Sequence, residues 1–413
     1  MPDPETLLRR LFDRAVEVAD PMQSLAGHLP ARPKGRLVVI GAGKASARMA
    51  EAVEAVYGPC EGLVITRYGY ARPCEGIEIV EAAHPVPDEA GLRATARMLD
   101  LVAGLGADDV VLALISGGAS ALLVQPAGDI TLAEKQDVNV ALLASGAPIG
   151  KMNIVRKQLS DVKGGQLAAA AYPARMLALM ISDVPGDDPA MIGSGPTVGD
   201  ASTQEDVRAI LDRQGIAVPP SVTAILTGPR RVVLPDDPRL SRVKNVIYAA
   251  PSQSLQAAAE MAEAEGLEAR ILGDALEGEA RDVAREQAHT ALAVQASLAP
   301  VAEPVVLLSG GELTVTRRGD GVGGPNAEYA LALALALHGA VGIHAIACDT
   351  DGVDGAAEVA GAIIGPDTLQ ATEEDAKAAL DRNDAHGCFE RVRAQVVTGP
   401  TLTIVNDFRA ILI

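Results

Sequence analysis

The sequence predicts an α/β protein of two domains, and three observations carry that expectation. Two continuous apolar runs, Val110–Ile115 and Val305–Leu308, each pass directly into Ser-Gly-Gly. Such runs suit parallel strands covered on both faces, and glycines at their carboxyl ends let the chain turn sharply and let a ligand approach the amides. Strand-like and helix-like segments alternate along the whole length, which argues for mostly parallel sheets. Finally, 48% of the 413 residues are apolar, yet there is no Trp, with only six Tyr and three Phe. The cores are therefore sheets of Val, Ile and Leu packed against Ala-rich helices, and the two Ser-Gly-Gly turns are expected to face one cleft.

Taken in order, the first twenty residues form a charged amphipathic helix whose docking stripe is Leu7, Leu8, Leu11 and Val16. Residues 36–40 read as a strand, 44–56 as a helix, 62–66 and 77–81 as short strands, and 90–105 as a helix leading into the first Ser-Gly-Gly strand. Two helical segments follow, then a strand at 176–182. Ser202-Thr-Gln-Glu205 reads as a capping box opening a helix that stops near Gly215. The Pro-, Arg- and Asp-rich stretch 219–242 has no period and marks the domain boundary, placing one domain at 1–235 and the second at 236–413, with the last strand free to pack back on the first. The second series begins with a strand at 245–249, a helix at 254–265 and a strand at 268–272. A helix at 277–296 leads into the second Ser-Gly-Gly strand, and 329–348 reads as a buried helix, a turn and a buried strand, too polar in the middle to span a bilayer.

The net charge of −19 repels nucleic acid and anionic membranes at long range. An anionic small molecule would bind only where local cations or amides override that field. Cys60, Cys74, Cys348 and Cys388 have no metal-ligand spacing and fit a reduced, cytoplasmic protein.

Six segments could carry chemistry. Gly41-Ala-Gly43-Lys44-Ala-Ser46 has the setting of a dinucleotide fingerprint, but Ser46 replaces the third glycine and no acid follows at the next strand end. A lysine at a helix start opposes the dipole and makes better sense reaching for phosphate than as a solvated side chain. In the segment 152–165, Val155, Leu159 and Val162 form a buried stripe, with Arg156, Ser160 and Lys163 beside it and Lys157 adjacent. These are either an anion site or cations serving a helix end.

The loop from Ser182 to Thr197 carries Asp183, Asp187, Asp188, Ser194 and Thr197, suited to Mg²⁺ or to a base on a hydroxyl, with turn formation as the structural alternative. Gly319–Glu328, with Gly323, Gly324, Pro325 and Asn326, opens a helix as a phosphate cradle or a plain glycine turn. Asp349-Thr-Asp351-Gly352 is a second acidic strand end, and His84 sits in the rigid turn His84-Pro-Val-Pro-Asp88.

Together these segments resemble the MOFRL-type glycerate 2-kinase family, whose members have also carried the name hydroxypyruvate reductase. The resemblance rests on Gly41–Ser46, His84–Asp88, Ser116-Gly117-Gly118-Ala-Ser120, Arg156–Gly165, Ser182–Asp187, Gly193–Thr197, Ser309-Gly310-Gly311-Glu312, Gly323–Glu328 and Thr350–Gly355. It implies a Rossmann-like N-terminal domain, a smaller MOFRL domain, an active site between them, and ATP- and Mg²⁺-dependent phosphorylation of D-glycerate to 2-phosphoglycerate. In that reading Lys44 meets the transferring phosphoryl group, and the turn Ser116–Ser120 holds glycerate or phosphate. Arg156, Lys157, Lys163, Ser194 and Thr197 complete the anion site. Asp183 and Asp187 hold Mg²⁺, with Asp187 or Asp351 accepting the hydroxyl proton. Gly41, Gly43, Gly310, Gly311, Glu312, Gly323, Gly324 and Asn326 face the nucleotide. Three positions depart from the family's usual pattern: Ile404 in place of Asn, Glu358 in place of Asp, and Pro325 in place of Arg. The alternatives are an NAD(P)H-dependent hydroxypyruvate reductase and a non-catalytic sugar-phosphate-binding regulator. The oligomeric state stays open, a homodimer among the options.

Overall fold

The structure, a computed structural model, describes residues 3–299, 302–369 and 373–413. It divides the chain into two compact units, one of Pro21–Ser182 and Asp187–Tyr248, the other of the residues up to Asp20, Asp183–Gly186 and Ala249–Ile413.

The first unit is built on β1 (Leu37–Ala42), β2 (Glu61–Arg67), β3 (Ile77–Ala82), β4 (Val110–Ile115), β5 (Arg175–Ile181) and β6 (Val243–Ala249). Their order in the sheet is β3-β2-β1-β4-β5-β6, and the pairings among the first five strands are parallel. β1 and β4 are buried along their whole length, as continuous apolar runs demand when helices cover both faces. The order reverses between β1 and β4, and at such a reversal the connections leave in opposite directions and open a crevice at the carboxyl ends. Gly41–Lys44 and Ser116–Ser120 follow those two strands, so the switch point falls between two of the predicted motifs. Side chains fix the flanking helices: Asp88 accepts from the Gly91 amide at 3.0 Å, and Thr131 and Glu134 form a reciprocal capping box. A second box is Thr203–Asp206, one residue beyond the expected Ser202–Glu205 pair.

The second unit holds β7 (Glu268–Gly273), β8 (Gly278–Glu279), β9 (Val305–Gly310), β10 (Leu313–Thr314), β11 (His344–Asp349), β12 (Gly361–Ile364), β13 (Gln395–Val396) and β14 (Asp407–Leu412). Its main sheet runs β13-β12-β11-β14-β9-β7, with β8 and β10 forming a separate two-stranded piece. The expectation of a mostly parallel sheet fails for this main sheet, where β7 and β9 make the one parallel pairing among the described residues. Parallel neighbours need a long crossover, usually a helix; β11 and β12 are joined by the loop 350–360, which contains none.

Two boundary expectations also differ from this division. The strand expected to open the second domain, 245–249, is β6 of the first sheet, so the chain changes unit after Tyr248 instead of after residue 235. β14 does not return to the first sheet: it lies between β11 and β9, buried throughout. The N-terminal helix, Pro4–Glu17, belongs to the second unit, where Leu7, Leu8, Leu11 and Phe12 share a core with Leu255, Ala258, Val306 and Phe408. Its Asp3 cap and its Pro4 start were both readable as helix signals. Among the described residues no helix is long and apolar enough to cross a membrane, and the four cysteines are free thiols.

Candidate active site

The turns after β1 and β4 are stitched together by the residues that distinguish them from a dinucleotide fingerprint. Ser116, fully buried, accepts from the Ala45 amide at 3.0 Å and lies 3.2 Å from the Ser46 hydroxyl, which donates to the Leu114 carbonyl. The Lys44 amide donates to the Gly117 carbonyl at 2.8 Å. Gly43, at φ +142°, lies so close to the Ser116 hydroxyl that a Cβ would stand 2.1 Å from it. The third glycine of a dinucleotide motif is thus replaced by a serine doing structural work between two strands.

Gly118 takes the left-handed conformation at φ +82°. A Cβ there would lie 3.1 Å from the His84 ring and 3.3 Å from Lys44 Cγ, so both side chains converge over this glycine. Neither the Gly117 nor the Gly118 amide meets an acceptor among the described residues. Two successive donors at a strand's carboxyl end, beside a half-buried lysine, are suited to an oxyanion.

The next shell extends this arrangement. Ser120 lies 2.8 Å from the Ser194 hydroxyl, and Ser194, at φ +63°, donates to Asn153 at 3.2 Å. Asn153 is in turn 3.5 Å from the Arg156 guanidinium. Arg156 is half-buried and meets no carboxylate among the described residues, and burial pulls its pKa below the usual value. Lys163 behaves differently from the expectation of a ligand-facing cation. The helix stops at Gln158, so Arg156 and Lys163 do not share a helical stripe. Lys163 is fully buried, and its ammonium donates to the carbonyls of Ser120 at 2.8 Å and Leu123 at 3.2 Å, with Gly193 at 3.5 Å. Burial pulls its pKa well below normal, helped by Lys135 and Arg156. It therefore ties two backbone segments, 120–123 and the one at Gly193, together around the cradle instead of lining it.

Lys157 is also committed, paired with Asp200 at 2.7 Å. Thr197 is buried, donating to Asn245 on β6 at 2.7 Å. Both buttress the loop, and neither presents a polar group outward. Lys135, a residue the motifs missed, is buried with its ammonium on the Leu159 carbonyl, and desolvation brings its pKa down to about 8.

In the acidic loop, Asp187 is held at φ +51° and one carboxylate oxygen is buried with no hydrogen-bond partner among the described residues. Asp183 belongs to the second unit, where its carbonyl accepts from Asn406 at 3.0 Å. No group of three His, Cys, Asp or Glu side chains that could hold a metal occurs among the described residues. Mg²⁺ commonly takes one or two carboxylates and keeps its remaining sites for water and phosphate, so Asp187 alone fits such an ion.

The second unit's motifs resolve into architecture. At the start of the helix Pro325–Leu337, read as a phosphate cradle or a plain glycine turn, Asp354 fills the position a phosphate would take. Its carboxylate accepts from the Asn326 amide at 3.0 Å, the Ala327 amide at 2.8 Å and His386 at 2.9 Å. A Cβ on Gly324 would stand 2.3 Å from the Asp354 carboxyl carbon, so Gly324 is small to admit a side chain of this same chain. Asn326 bridges to Asp407 at 2.7 Å, and Asp407 pairs with Arg409 at 2.7 Å. Arg409 also donates to the carbonyls of Gly310 and Gly311, while Gly311 abuts Leu276. Gly323 approaches the Asn383 carbonyl closely. Asp351 is buried and accepts from the Val353 amide at 2.8 Å, a turn-forming role rather than an exposed base. Glu312 is exposed. The two Ser-Gly-Gly turns thus differ in what they offer: the first leaves two amides open, the second has its carbonyls taken by Arg409.

Comparison with known proteins agrees with this frame. Residues 7–227 match a family described as a domain of unknown function (DUF4147), and residues 305–407 match the MOFRL family. The chain is 38% identical to the D-glycerate 2-kinase of Thermotoga maritima, over 98% of each sequence. The chain belongs to the MOFRL-type glycerate 2-kinase family. It is also 52% identical, over 98% of its length and 94% of the relative's, to a protein of Agrobacterium vitis that bears a hydroxypyruvate reductase name. The crystal structure of the Thermotoga maritima glycerate kinase superimposes with a TM-score of 0.88 at 37% identity, covering 99% of this chain and all of that one. For a member of this family, the altered glycine motif is explained by the Ser46–Ser116 stitch: the turn after β1 is shaped for the neighbouring turn.

Proposed function

We propose that the chain phosphorylates D-glycerate from ATP with Mg²⁺, giving 2-phosphoglycerate, as a cytoplasmic enzyme. The observation that carries this reading is the convergence of Lys44 and His84 over Gly118, next to the open amides of Gly117 and Gly118. Phosphoryl transfer needs positioning and charge neutralisation more than covalent chemistry by the protein. Lys44 supplies a cation for the transferring group, and the two amides supply fixed donors that cost no reorganisation. Arg156, held between Asn153 and Asn139, neutralises a carboxylate or phosphate of the bound substrates. Ser120 and Ser194 orient the glycerate hydroxyls. Asp187 would hold Mg²⁺ through its unpartnered oxygen, and that ion, when bound, offsets phosphate charge. His84 stands beside Lys44 as the candidate acceptor of the substrate hydroxyl proton.

The reductase name borne by two relatives, together with the strand order, raises a dinucleotide-dependent reading. Against it, β2 ends in Thr66-Arg67, with Thr66 buried and donating to the Gly43 carbonyl, so no carboxylate stands there for a ribose. Two assays run in parallel separate the readings: ADP release from ATP and Mg²⁺ with D-glycerate, and NAD(P)H oxidation with hydroxypyruvate. Glycerate-dependent ADP release without NAD(P)H oxidation supports the kinase, and the reverse pattern overturns it.

A further inference from the structure

A cavity of about 560 Å³ opens at the opposite edge of the first sheet from the turns just described. It is lined at the first residues of β4 and β5, Val110 and Arg175, which pair side by side in the sheet. The catalytic turns begin after Ile115, five residues further along β4, which at ~3.3 Å per residue is about 17 Å away. The cavity is therefore a separate place on the same unit, and its volume lies in the usual range for small-molecule sites.

Its chemistry is unlike the rest of the chain. Acidic residues outnumber basic ones 54 to 35 overall, yet the cavity is lined by Arg175, Arg242 and Lys244 and by no Asp or Glu. None of these three cations forms an ion pair among the described residues; Arg242 donates only to the Pro173 carbonyl, at 2.7 Å. Lys244 and Val246 fall on one face of β6 by the two-residue strand period, and Arg242 immediately precedes that strand. Three unpaired cations gathered without a carboxylate repel one another, an arrangement that an incoming anion relieves. The remainder of the wall is apolar, with Val110, Met176, Leu177 and Pro30, and His28 at its rim packs its ring 5.5 Å from that of Tyr248. A simple inorganic anion would leave this apolar wall wet, and an apolar molecule would leave the cations unneutralised.

We propose that this cavity is a second binding site, specific for a phosphate ester with a compact, flat or apolar body. The doubly charged head sits against Arg175, Arg242 and Lys244, and the body lies against Val110 and Met176. Three cations favour a phosphate over a carboxylate, which needs only one.

The test uses phenyl phosphate as the probe, titrated calorimetrically into the full-length protein, with inorganic phosphate and benzoate as comparison arms. One equivalent of phenyl phosphate is expected to bind, more tightly than either comparison anion. Lys244→Glu and Arg175→Glu should each weaken it about tenfold or more, the effect of losing a charge-assisted contact. Both side chains are exposed, so the fold should tolerate the changes, and Lys244→Arg should restore binding. Lys44→Ala should leave the affinity unchanged, which separates this cavity from the proposed kinase site. Absence of binding, equal affinity for benzoate, or a loss on Lys44→Ala without one on Lys244→Glu overturns the proposal.

Discussion

Gly118→Ala isolates the geometry on which the proposed chemistry rests. The residue sits at φ +82°, where an L side chain costs about 1–2 kcal/mol. The added methyl would meet the His84 ring at 3.1 Å and Lys44 Cγ at 3.3 Å, so both side chains must shift by a few tenths of an ångström or more. Misplacement of a reacting group by ~1 Å can cost about 10²-fold in rate. Gly69 provides the control, because it has the same φ of +82° with nothing within 4 Å of its missing Cβ. Gly69→Ala should therefore lose the same ~1–2 kcal/mol of stability in urea unfolding while keeping full glycerate-dependent ADP release. Gly118→Ala should lose comparable or somewhat greater stability and, in addition, about 10- to 100-fold in kcat/KM. If both variants turn over at the same rate, the convergence over Gly118 has no part in catalysis and the reasoning fails.

Three further outcomes follow from the same contacts. Asp354→Ala removes the acceptor for two helix amides and for His386, all buried, and should destabilise the protein by ~3–5 kcal/mol in denaturant titration; a loss below ~1 kcal/mol would mean that water or a ligand satisfies that helix end. Arg156→Gln should raise the KM for an anionic substrate about tenfold or more in steady-state kinetics, the effect of losing one charge-assisted contact, with the melting temperature little changed. Lys135 has a folded pKa of about 8, below its ordinary 10.5, so the unfolded chain binds more protons between those values and stability rises with pH across that window. The stability difference between wild type and Lys135→Met should accordingly move by ~3 kcal/mol in favour of wild type from about pH 8 to about 10.5; a flat difference would contradict the lowering of the Lys135 pKa by burial.

Much of the first unit was legible because its signals are local. The runs 36–40 and 110–115, each followed within two residues by glycine, became β1 and β4, and the helices beginning after Asp88, Thr131 and Thr203 carry side-chain caps. What the sequence could not reveal is which anion occupies which helix end. Gly323-Gly-Pro-Asn326 has the composition of a phosphate cradle, but Asp354, distant in sequence, fills it, and composition does not distinguish a carboxylate of the same chain from a ligand. The segment holding Arg156, Lys157 and Lys163 read as one group of cations. Its three members separate in the fold because the helix ends at Gln158, leaving Lys163 on backbone carbonyls and Lys157 on Asp200. His84 lies in a rigid turn whose sequence does not mark it as part of the site, since only the chain's folding brings it to Gly118. The second sheet misled for a related reason: strands and helices alternate along it, but the loop 350–360 contains no crossover helix, and strand direction follows the connection.

The central claim, phosphoryl transfer to glycerate at Lys44, is tested most directly by ³¹P NMR of D-glycerate incubated with ATP, Mg²⁺ and the full-length protein. The account predicts a phosphomonoester resonance of 2-phosphoglycerate growing in step with ADP, and its near-complete loss with Lys44→Ala, whose melting temperature stays close to wild type. No phosphomonoester from the wild-type protein, or one formed equally by Lys44→Ala, would contradict it.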